Sequence, residues 1–210
     1  MQRESRAGTV VSRRSWLRLG LGGLKVLLII ALWLGAYTCY EIYRNNFHVV
    51  VTGEVYRSAQ MNSADFSQCL TNYGINSVLN LRGENPDADW HRAETATAAR
   101  LKVAYFDRDL GSGTELSVTQ MDDLVDLLRR APKPLLIHCD GGADRSGLVS
   151  ALYCFAIAGE SPQQADHQLT LWYGHVPWFR PKVSAMDRSF WRYVASGIPH
   201  PPQSGTSSGR

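Results

Sequence analysis

The amino-acid sequence predicts an α/β protein, in which a central, mostly parallel sheet is flanked by helices and preceded by one N-terminal transmembrane helix. Three observations lead to this prediction. An apolar run long enough to cross a bilayer lies near the N-terminus. Beyond it, short strand patterns alternate with helix patterns. One apolar strand pattern runs directly into a glycine-bearing loop and then a helix, a connection typical of α/β sheets.

The apolar run extends from Leu19 to Tyr40 and contains one charged residue, Lys25. As a helix it would be roughly 33 Å long, which is enough to span the hydrocarbon core. Five arginines precede the run, and Arg44 alone follows it closely. Because positive flanks stay in the cytoplasm, we expect a cytoplasmic N-terminus and a periplasmic or otherwise extracytoplasmic globular part. A cleaved signal peptide is the alternative, but no A-x-A-like site follows the run.

Charge and cysteine content exclude several classes of protein. Residues 1–44 carry seven Lys/Arg and two acids, whereas the remaining 166 residues carry 15 Lys/Arg and 17 acids. A globular part without a basic excess argues against a nucleic-acid partner. The cysteines form no CxxC pair and no metal-ligand spacing, so the sequence indicates neither a disulfide framework nor a metal site: Cys39, Cys69, Cys139 and Cys154.

The first half of the globular part is predicted to alternate strands with short helices. The elements are a strand at 49–51, a Thr52-Gly53 turn, a strand at 55–56, a helix over 63–73 with Ser63 as N-cap and Gly74 as its stop, a strand at 77–81, a helix over 90–101 and a strand at 102–106. A polar loop follows this last strand.

The second half begins with a helix capped by Ser117. Its apolar residues recur at the 3.6-residue period of a core-facing stripe: Val118, Met121, Leu124, Val125 and Leu128. Pro132 and Pro134 end this helix, and a buried strand is predicted at 135–137. Further helices are predicted over 146–158, from Ser161-Pro162 onwards, and over 184–195.

The segment after the strand at 135–137 is HCDGGADRSG, residues 138–147. A glycine-bearing loop between a strand end and a helix N-terminus points successive backbone N–H groups inward and forms an anion site. Gly141 and Gly142 permit the tight backbone that this loop needs, and Arg145 offers a bidentate fork to two phosphate oxygens. We therefore predict that the phosphate-binding residues are Asp140, Gly141, Gly142, Ala143, Asp144 and Arg145.

Cys139 is the predicted nucleophile. The helix N-terminus and Arg145 favour its thiolate, which can attack phosphorus and form a phosphocysteine intermediate. His138 would orient the loop or the thiolate by hydrogen bonding, and the Ser146 hydroxyl would ease departure of the thiolate. The alternative interpretation is a buried cysteine in an incidental glycine-rich turn.

The pattern His138-Cys139-x5-Arg145-Ser146 resembles the signature of the cysteine-dependent protein tyrosine and dual-specificity phosphatases. The region from about Asn46 to Val194 looks like a small, membrane-anchored bacterial branch of that family. Its other marks are Tyr56-Arg57-Ser58-Ala59-Gln60, Asn80-Leu81-Arg82-Gly83 and Tyr173-Gly174-His175. The resemblance implies a dual-specificity-phosphatase-like fold and an enzyme that uses no metal, nucleotide or other cofactor.

The resemblance also implies a general acid, an aspartate on a mobile loop roughly thirty residues before the cysteine. Asp109 is favoured because it lies deeper in the polar loop, between strand 102–106 and the glycines Gly111 and Gly113. Asp107 and Asp144 remain alternatives. Asp144 also departs from the commonest family pattern, and related loops with this residue occur in lipid- and inositol-directed as well as tyrosine-directed phosphatases.

Residues outside the loop have less specific signals. Arg57 and Arg82 fit substrate or loop-supporting roles, with structural salt bridges as the equal alternative, and His175 fits a structural polar contact near the loop. Cys69 and Cys154 are expected in the core. Six aromatic residues are also expected in the core rather than on a recognition surface: Trp172, Tyr173, Trp178, Phe179, Phe190 and Trp191.

The predicted parts are a basic tail at 1–18, a transmembrane helix at 19–41, a phosphatase domain at 45–198 and a disordered tail at 199–210. The predicted partners are the membrane and a phosphorylated lipid or phosphoprotein substrate, with no nucleic acid and no metal. A membrane anchor favours a lipid or glycolipid phosphate, the family resemblance favours phosphotyrosine, and inositol or other soluble phosphates remain open. A catalytically silent phosphate-binding or scaffold protein is the second functional class.

Overall fold

The computed structural model describes residues 13–197, with side chains from residue 22 onwards. The chain forms two compact units, and the boundary between them lies between Ile42 and Tyr43. Helix α1, Arg13–Tyr43, begins before the predicted span, so part of the predicted basic tail is helical. Its segment Gly22–Tyr43 is long and apolar enough to cross a membrane, a property that a signal sequence shares. The predicted tail at 199–210 lies outside the described residues.

A five-stranded sheet forms the centre of the second unit: β1 (His48–Val51), β2 (Val55–Ser58), β3 (Ser77–Asn80), β4 (Ala104–Asp107) and β5 (Leu135–His138), in the spatial order β1-β2-β5-β3-β4. Strands β1 and β2 are antiparallel, and the other neighbouring pairs are parallel. The predicted α/β fold with a mostly parallel central sheet is therefore confirmed. Strand β5 is central and buried throughout, which explains its uninterrupted apolar pattern.

Helices cover both faces of this sheet: α2 (Ser63–Asn72), α3 (Asp89–Leu101), α4 (Val118–Arg130), α5 (Asp144–Ala156), α6 (Pro162–Asp166) and α7 (Ser184–Ala195), with short 3-10 helices at Leu171–Tyr173 and Pro181–Val183. Leu135 and Ile137 pack into the larger core with α4, α5 and α7. Leu136 packs into a second core with α2. Successive residues of β5 thus point to opposite faces, as the pleat of a strand requires.

Three predicted element boundaries are wrong for local reasons. Asn62, not Ser63, caps α2, because its side-chain oxygen accepts hydrogen bonds from two backbone N–H groups of the first turn. Lys102 adopts a left-handed conformation that ends α3, so β4 begins only at Ala104. Helix α5 begins at Asp144, two residues before the predicted start at Ser146. The predicted cap at Ser117 is confirmed, and it forms a complete capping box.

The strand register brings four connecting segments to one edge of the sheet. His138 at the end of β5 pairs with Ser58 of β2 and with Asn80 of β3. Asn80 in turn pairs with Asp107 at the end of β4. Because these strands are parallel, the segments after them leave the sheet at the same edge, where ligands bind in open α/β sheets.

Candidate active site

The loop between β5 and α5 forms the centre of this edge. Cys139 directly follows the central strand, is only 2% exposed, and has its Sγ 3.6 Å from Ser146 Oγ. Helix α5 begins at Asp144, so the loop lies at the positive end of a 13-residue helix. The structure thus brings together the predicted nucleophile, the predicted hydroxyl partner and a helix N-terminus.

Four successive carbonyl groups of the loop are bound from one side. Gln60 N donates to Asp140 O at 3.0 Å, and Asn46 Nδ2 donates to Gly141 O at 3.0 Å. Arg57 Nη2 donates to both Gly142 O and Ala143 O at 2.9 Å. In a trans peptide the C=O and N–H groups point in opposite directions. The N–H groups of residues 141–144 are therefore turned away from these donors, which is the arrangement that an anion requires.

Arg57, whose possible role sequence reasoning left open, lies behind this loop and is fully buried. Its Nη1 atom donates to Gln168 O at 2.7 Å, and its guanidinium lies 4.3 Å from the centre of the Tyr173 ring. Burial lowers the pKa of Arg57 to about 10, against the opposing influence of Tyr173 and Cys139, so the guanidinium stays charged at neutral pH. Its contacts are those of a residue that positions the loop, not of one that touches substrate.

Gly142 is the loop glycine that no residue with a Cβ atom can replace without a clash. Its φ is +67°, and a Cβ atom there would lie 2.5 Å from the backbone nitrogen of Ala59. A Cβ atom on Gly141 would meet nothing within 4 Å. The close approach of the loop to the end of β2 therefore depends on one of the two predicted glycines.

Arg145 is held at the front of the loop by backbone groups of two other segments. Its Nη1 donates to Leu81 O at 3.2 Å and to Leu110 O at 3.4 Å. Its Nε is buried and has no hydrogen-bond partner among residues 13–197. The arginine thus retains a donor for an anion while its position is set by the segments after β3 and β4.

The three candidate acids have different surroundings. Asp107 Oδ1 accepts a hydrogen bond from Asn80 at 2.7 Å and lies 3.2 Å from His91 Nε2. Asp144 is buried and pairs with His175 and Arg180. Asp109 is exposed, and the structure shows no side-chain hydrogen bond for it within the described part of the chain. It directly precedes Leu110, whose carbonyl contacts Arg145, and packs against Gly83.

His138 does not contact the described loop through a hydrogen bond. Its Nε2 lies 3.3 Å from Oε2 of Glu94, a buried acid on α3 that the sequence analysis missed. Glu94 also accepts hydrogen bonds from Tyr105 and Gln60. Burial alone would raise the pKa of Glu94, but His138 and these two donors lower it below its ordinary value. No sequence signal marks Glu94, since a glutamate within a helix is usually exposed.

His175 makes the structural polar contact that the sequence predicted. Its Nδ1 lies 2.7 Å from Asp144 Oδ1, and its Nε2 lies 2.9 Å from Asp187 Oδ2. Burial would lower the pKa of His175, but hydrogen bonds to the two carboxylates raise it to about 9. The charged imidazole therefore joins the first residue of α5 to α7.

The expected burial of the six aromatic residues after α6 is wrong for four of them. Trp172, Trp178, Phe179 and Trp191 are 69%, 63%, 81% and 39% exposed, whereas Phe190 is fully buried. The first three belong to an irregular segment in which no helical period selects a buried face, and Trp191 lies on helix α7. Asn46 joins the irregular segment to the loop, because its Nδ2 donates to Tyr173 O at 2.9 Å as well as to Gly141 O.

The remaining cysteines differ from Cys139. Cys69 and Cys154 are buried, as predicted, and burial raises the pKa of each thiol to about 12, so both stay protonated. Within the described residues all four cysteines are free, and no group of His, Cys, Asp and Glu side chains could hold a metal ion. Only Cys139 has a neighbouring anion-binding loop.

A strand–loop–helix anion site with a cysteine at its base defines a cysteine-dependent phosphatase, and sequence comparison identifies the family. The model of the PTP-SAK family, described as the DSP-PTPase phosphatase domain of a Swiss Army Knife protein, matches residues 44–194. The chain therefore belongs to the dual-specificity and protein tyrosine phosphatase family, and it is a phosphatase. No curated protein matches the chain significantly in sequence.

Solved structures agree on the fold. The P. aeruginosa TpbA, solved as a cysteine-to-serine variant with pTyr, is 16% identical with a TM-score of 0.55 and covers 74% of this chain and 93% of its own. The catalytic domain of the PP-IP phosphatase SIW14 from S. cerevisiae is 18% identical with a TM-score of 0.53, over 74% and 95%. PTPMT1 is 14% identical with a TM-score of 0.51, over 71% and 97%. At these identities the likeness concerns the fold.

Proposed function

We propose that this protein is a membrane-anchored phosphatase that hydrolyses phosphomonoesters through a phosphocysteine intermediate on Cys139. The observation that carries the proposal is the binding of four consecutive loop carbonyls by Gln60, Asn46 and Arg57. Because these carbonyls point towards their donors, we infer that the N–H groups of residues 141–144 face a phosphate dianion beside Cys139 and stabilise it before and during attack.

In the first step, the Cys139 thiolate attacks phosphorus and the bond from phosphorus to the substrate oxygen breaks. Arg145 and the loop N–H groups hold the three non-bridging oxygens as their charge redistributes. The departing alkoxide takes a proton from Asp109 and leaves as an alcohol, and Asp109 becomes a carboxylate. Asp109 supports this role because it is exposed and adjoins Leu110, the residue whose carbonyl contacts Arg145.

In the second step, water attacks the phosphocysteine and the sulfur–phosphorus bond breaks. Asp109 takes a proton from this water, so the enzyme returns to its starting state and inorganic phosphate is released. Ser146 Oγ, 3.6 Å from Cys139 Sγ, would donate a hydrogen bond to the departing thiolate. The cycle needs no metal or nucleotide.

The proposed domain arrangement is an anchor at 19–41 and a phosphatase domain at 45–198, with the domain on the extracytoplasmic side. An anchored enzyme meets its substrate at the membrane surface, so we propose a lipid or glycolipid phosphate as substrate. TpbA was solved with pTyr and SIW14 is a PP-IP phosphatase, so phosphotyrosine and soluble inositol phosphates are the competing substrate classes to be measured.

The test is phosphate release by the full-length protein in lipid nanodiscs, with chelator present and with lipid phosphate, phosphotyrosine peptide and p-nitrophenyl phosphate compared. Acid quenching during turnover should leave one phosphoryl group on the peptide that contains Cys139. The Cys139→Ser variant should form no adduct, and its activity should fall by at least about 10³-fold. Cys39→Ser, a change in the exposed cysteine of α1, is the matched control and should retain both.

A folded protein that binds phosphate without releasing it from any of the three substrates would instead indicate the silent phosphate-binding class. Residual activity of Cys139→Ser within about tenfold of the unmodified protein would exclude the covalent mechanism.

A further inference from the structure

An exposed apolar surface lies on the segment between α6 and the 3-10 helix at Pro181–Val183. It consists of Leu171, Trp172, Trp178 and Phe179, which are 48%, 69%, 63% and 81% exposed, and is called the aromatic surface below. Exposed apolar side chains that occur singly need no explanation, but a cluster with two tryptophans indicates an interaction site.

The segment is folded on itself rather than extended. Gly174 N donates to Leu171 O at 2.9 Å, and His175 N donates to Thr170 O at 3.1 Å. Arg180 Nη2 lies 3.2 Å from Gly174 O, which joins the two halves of the segment. The tryptophans are therefore carried by a structured turn.

This turn packs directly against the phosphate-binding loop. Asp144 of the loop pairs with His175 and with Arg180. A Cβ atom on Gly174 would lie 3.7 Å from Cβ of Ala143. Lys182, which follows the turn, adjoins Gly113 on the segment that carries Asp109. The segment that carries the aromatic surface is therefore next to the phosphate-binding loop.

The cations beside the aromatic surface are Arg180 and Lys182, and both are exposed. Arg180 pairs with Asp144, and His175 lies between Asp144 and Asp187. Aromatic rings with lysine or arginine at their edge are the combination that proteins place at the headgroup level of a bilayer, and the cations also favour anionic lipids.

The connection to the apolar helix provides an independent argument. Asn46, which donates to both Gly141 O and Tyr173 O, is the third residue after the end of α1 at Tyr43. Three residues reach at most about 11 Å. The covalent connection therefore limits how far Asn46 can lie from the end of α1.

We propose that the aromatic surface inserts into the headgroup region of a lipid bilayer and holds the adjacent phosphate-binding loop at the membrane surface. This inference rests on the proposed membrane anchoring and specifies how a lipid phosphate would reach the site. Insertion by about 5–10 Å would bury the two tryptophans at the boundary of headgroups and acyl chains, while Arg180 and Lys182 remain among the headgroups.

The experiment measures fluorescence quenching in the full-length protein, in nanodiscs made with brominated or with unmodified phosphatidylcholine plus phosphatidylglycerol. Comparing the protein with its Trp172→Phe and Trp178→Phe variants isolates the emission of each tryptophan. We expect brominated lipid to remove about half of the emission from each. Trp33 of α1 is the positive control, and Trp191→Phe on α7 reports a tryptophan outside the aromatic surface.

Absence of quenching at Trp172 and Trp178, with Trp33 quenched, overturns the proposal, as does equal quenching at Trp191. The proposal is also overturned if a second copy of the chain, and not a lipid bilayer, covers the aromatic surface. Light scattering in detergent would then show a dimer that the combined Trp172→Ala, Trp178→Ala and Phe179→Ala variant converts to a monomer. The fluorescence can be measured in Cys139→Ser protein, so failure of docking and failure of the proposed catalysis are separate results.

Discussion

The back and the front of the phosphate-binding loop are built on different principles. At the back, Asn46, Arg57 and Gln60 bind the loop carbonyls, and Arg57 is fully buried. At the front, Asp109 is exposed, and Arg145 Nε has no hydrogen-bond partner in the described part of the chain. A buried polar network keeps one geometry because any unmade bond there is costly. Exposed groups can approach a substrate or a membrane without first breaking such bonds.

The largest expected effect comes from removing a donor that binds the carbonyls at the back of the loop. Arg57→Met removes the donor to Gly142 O, Ala143 O and Gln168 O, so stability should fall by about 3 kcal/mol or more. Inhibition by inorganic phosphate should weaken as well, because the loop N–H groups lose their fixed direction. Thermal unfolding and phosphate inhibition of the full-length protein measure both quantities.

Arg100→Met is the matched control for this prediction, since Arg100 is exposed on α3 and should change stability by no more than about 0.5 kcal/mol. An Arg57→Met protein with unaltered unfolding and phosphate inhibition would show that the back of the loop does not depend on this residue.

A change at the front should affect catalysis and leave the fold intact. Asp109→Asn should lower kcat about 10²-fold for an alkyl phosphate, whose leaving group needs a proton, and much less for p-nitrophenyl phosphate. Steady-state kinetics on the two substrates provides the measurement. Asp107→Asn is the comparison variant, because Asp107 is bound by Asn80 and His91 and should affect stability more than the ratio of the two rates. Equal losses of Asp109→Asn on both substrates would remove Asp109 as the acid.

The two glycines of the loop should respond differently to the addition of one methyl group. Gly142→Ala places a Cβ atom 2.5 Å from Ala59 N at a positive φ, and it should cost about 2–3 kcal/mol of stability. Gly141→Ala meets no atom within 4 Å and should leave stability nearly unchanged. Unfolding temperatures of the two variants, measured side by side, decide the point, and equal values would contradict it.

The smallest expected effect is a pH dependence from His175, which joins the loop to α7. The pKa of this histidine is raised to about 9 in the folded protein. The charged form therefore adds stability that is fully present below its ordinary pKa of about 6.5 and is lost as pH rises through about 9. His175→Gln should flatten this part of the stability profile, whereas His167→Gln, at an exposed position, should retain it.

Several features of the site were predictable because they are contiguous in the chain. The proposed nucleophile, the glycines and the arginine lie within residues 138–147, and the alternation of strands and helices around them indicated the sheet. The boundaries that failed, at Asn62 and Lys102, depend on a single cap or a single left-handed residue. Such choices are decided by local hydrogen bonds that compete closely with alternatives.

The sequence by itself determined the order of the elements, the location of the candidate site in residues 138–147 and the presence of an apolar N-terminal helix, because each depends on neighbouring residues or on a regular period. Only the tertiary structure decided that Arg57 and Asn46 bind loop carbonyls 85 and 95 residues away, and that Trp178 is exposed beside the loop. Those outcomes depend on the strand register and on the packing of irregular segments. Neither leaves a periodic pattern in the sequence, so the sequence offered a loop-supporting role for Arg57 only as one of several alternatives and gave no role to Asn46 or Glu94.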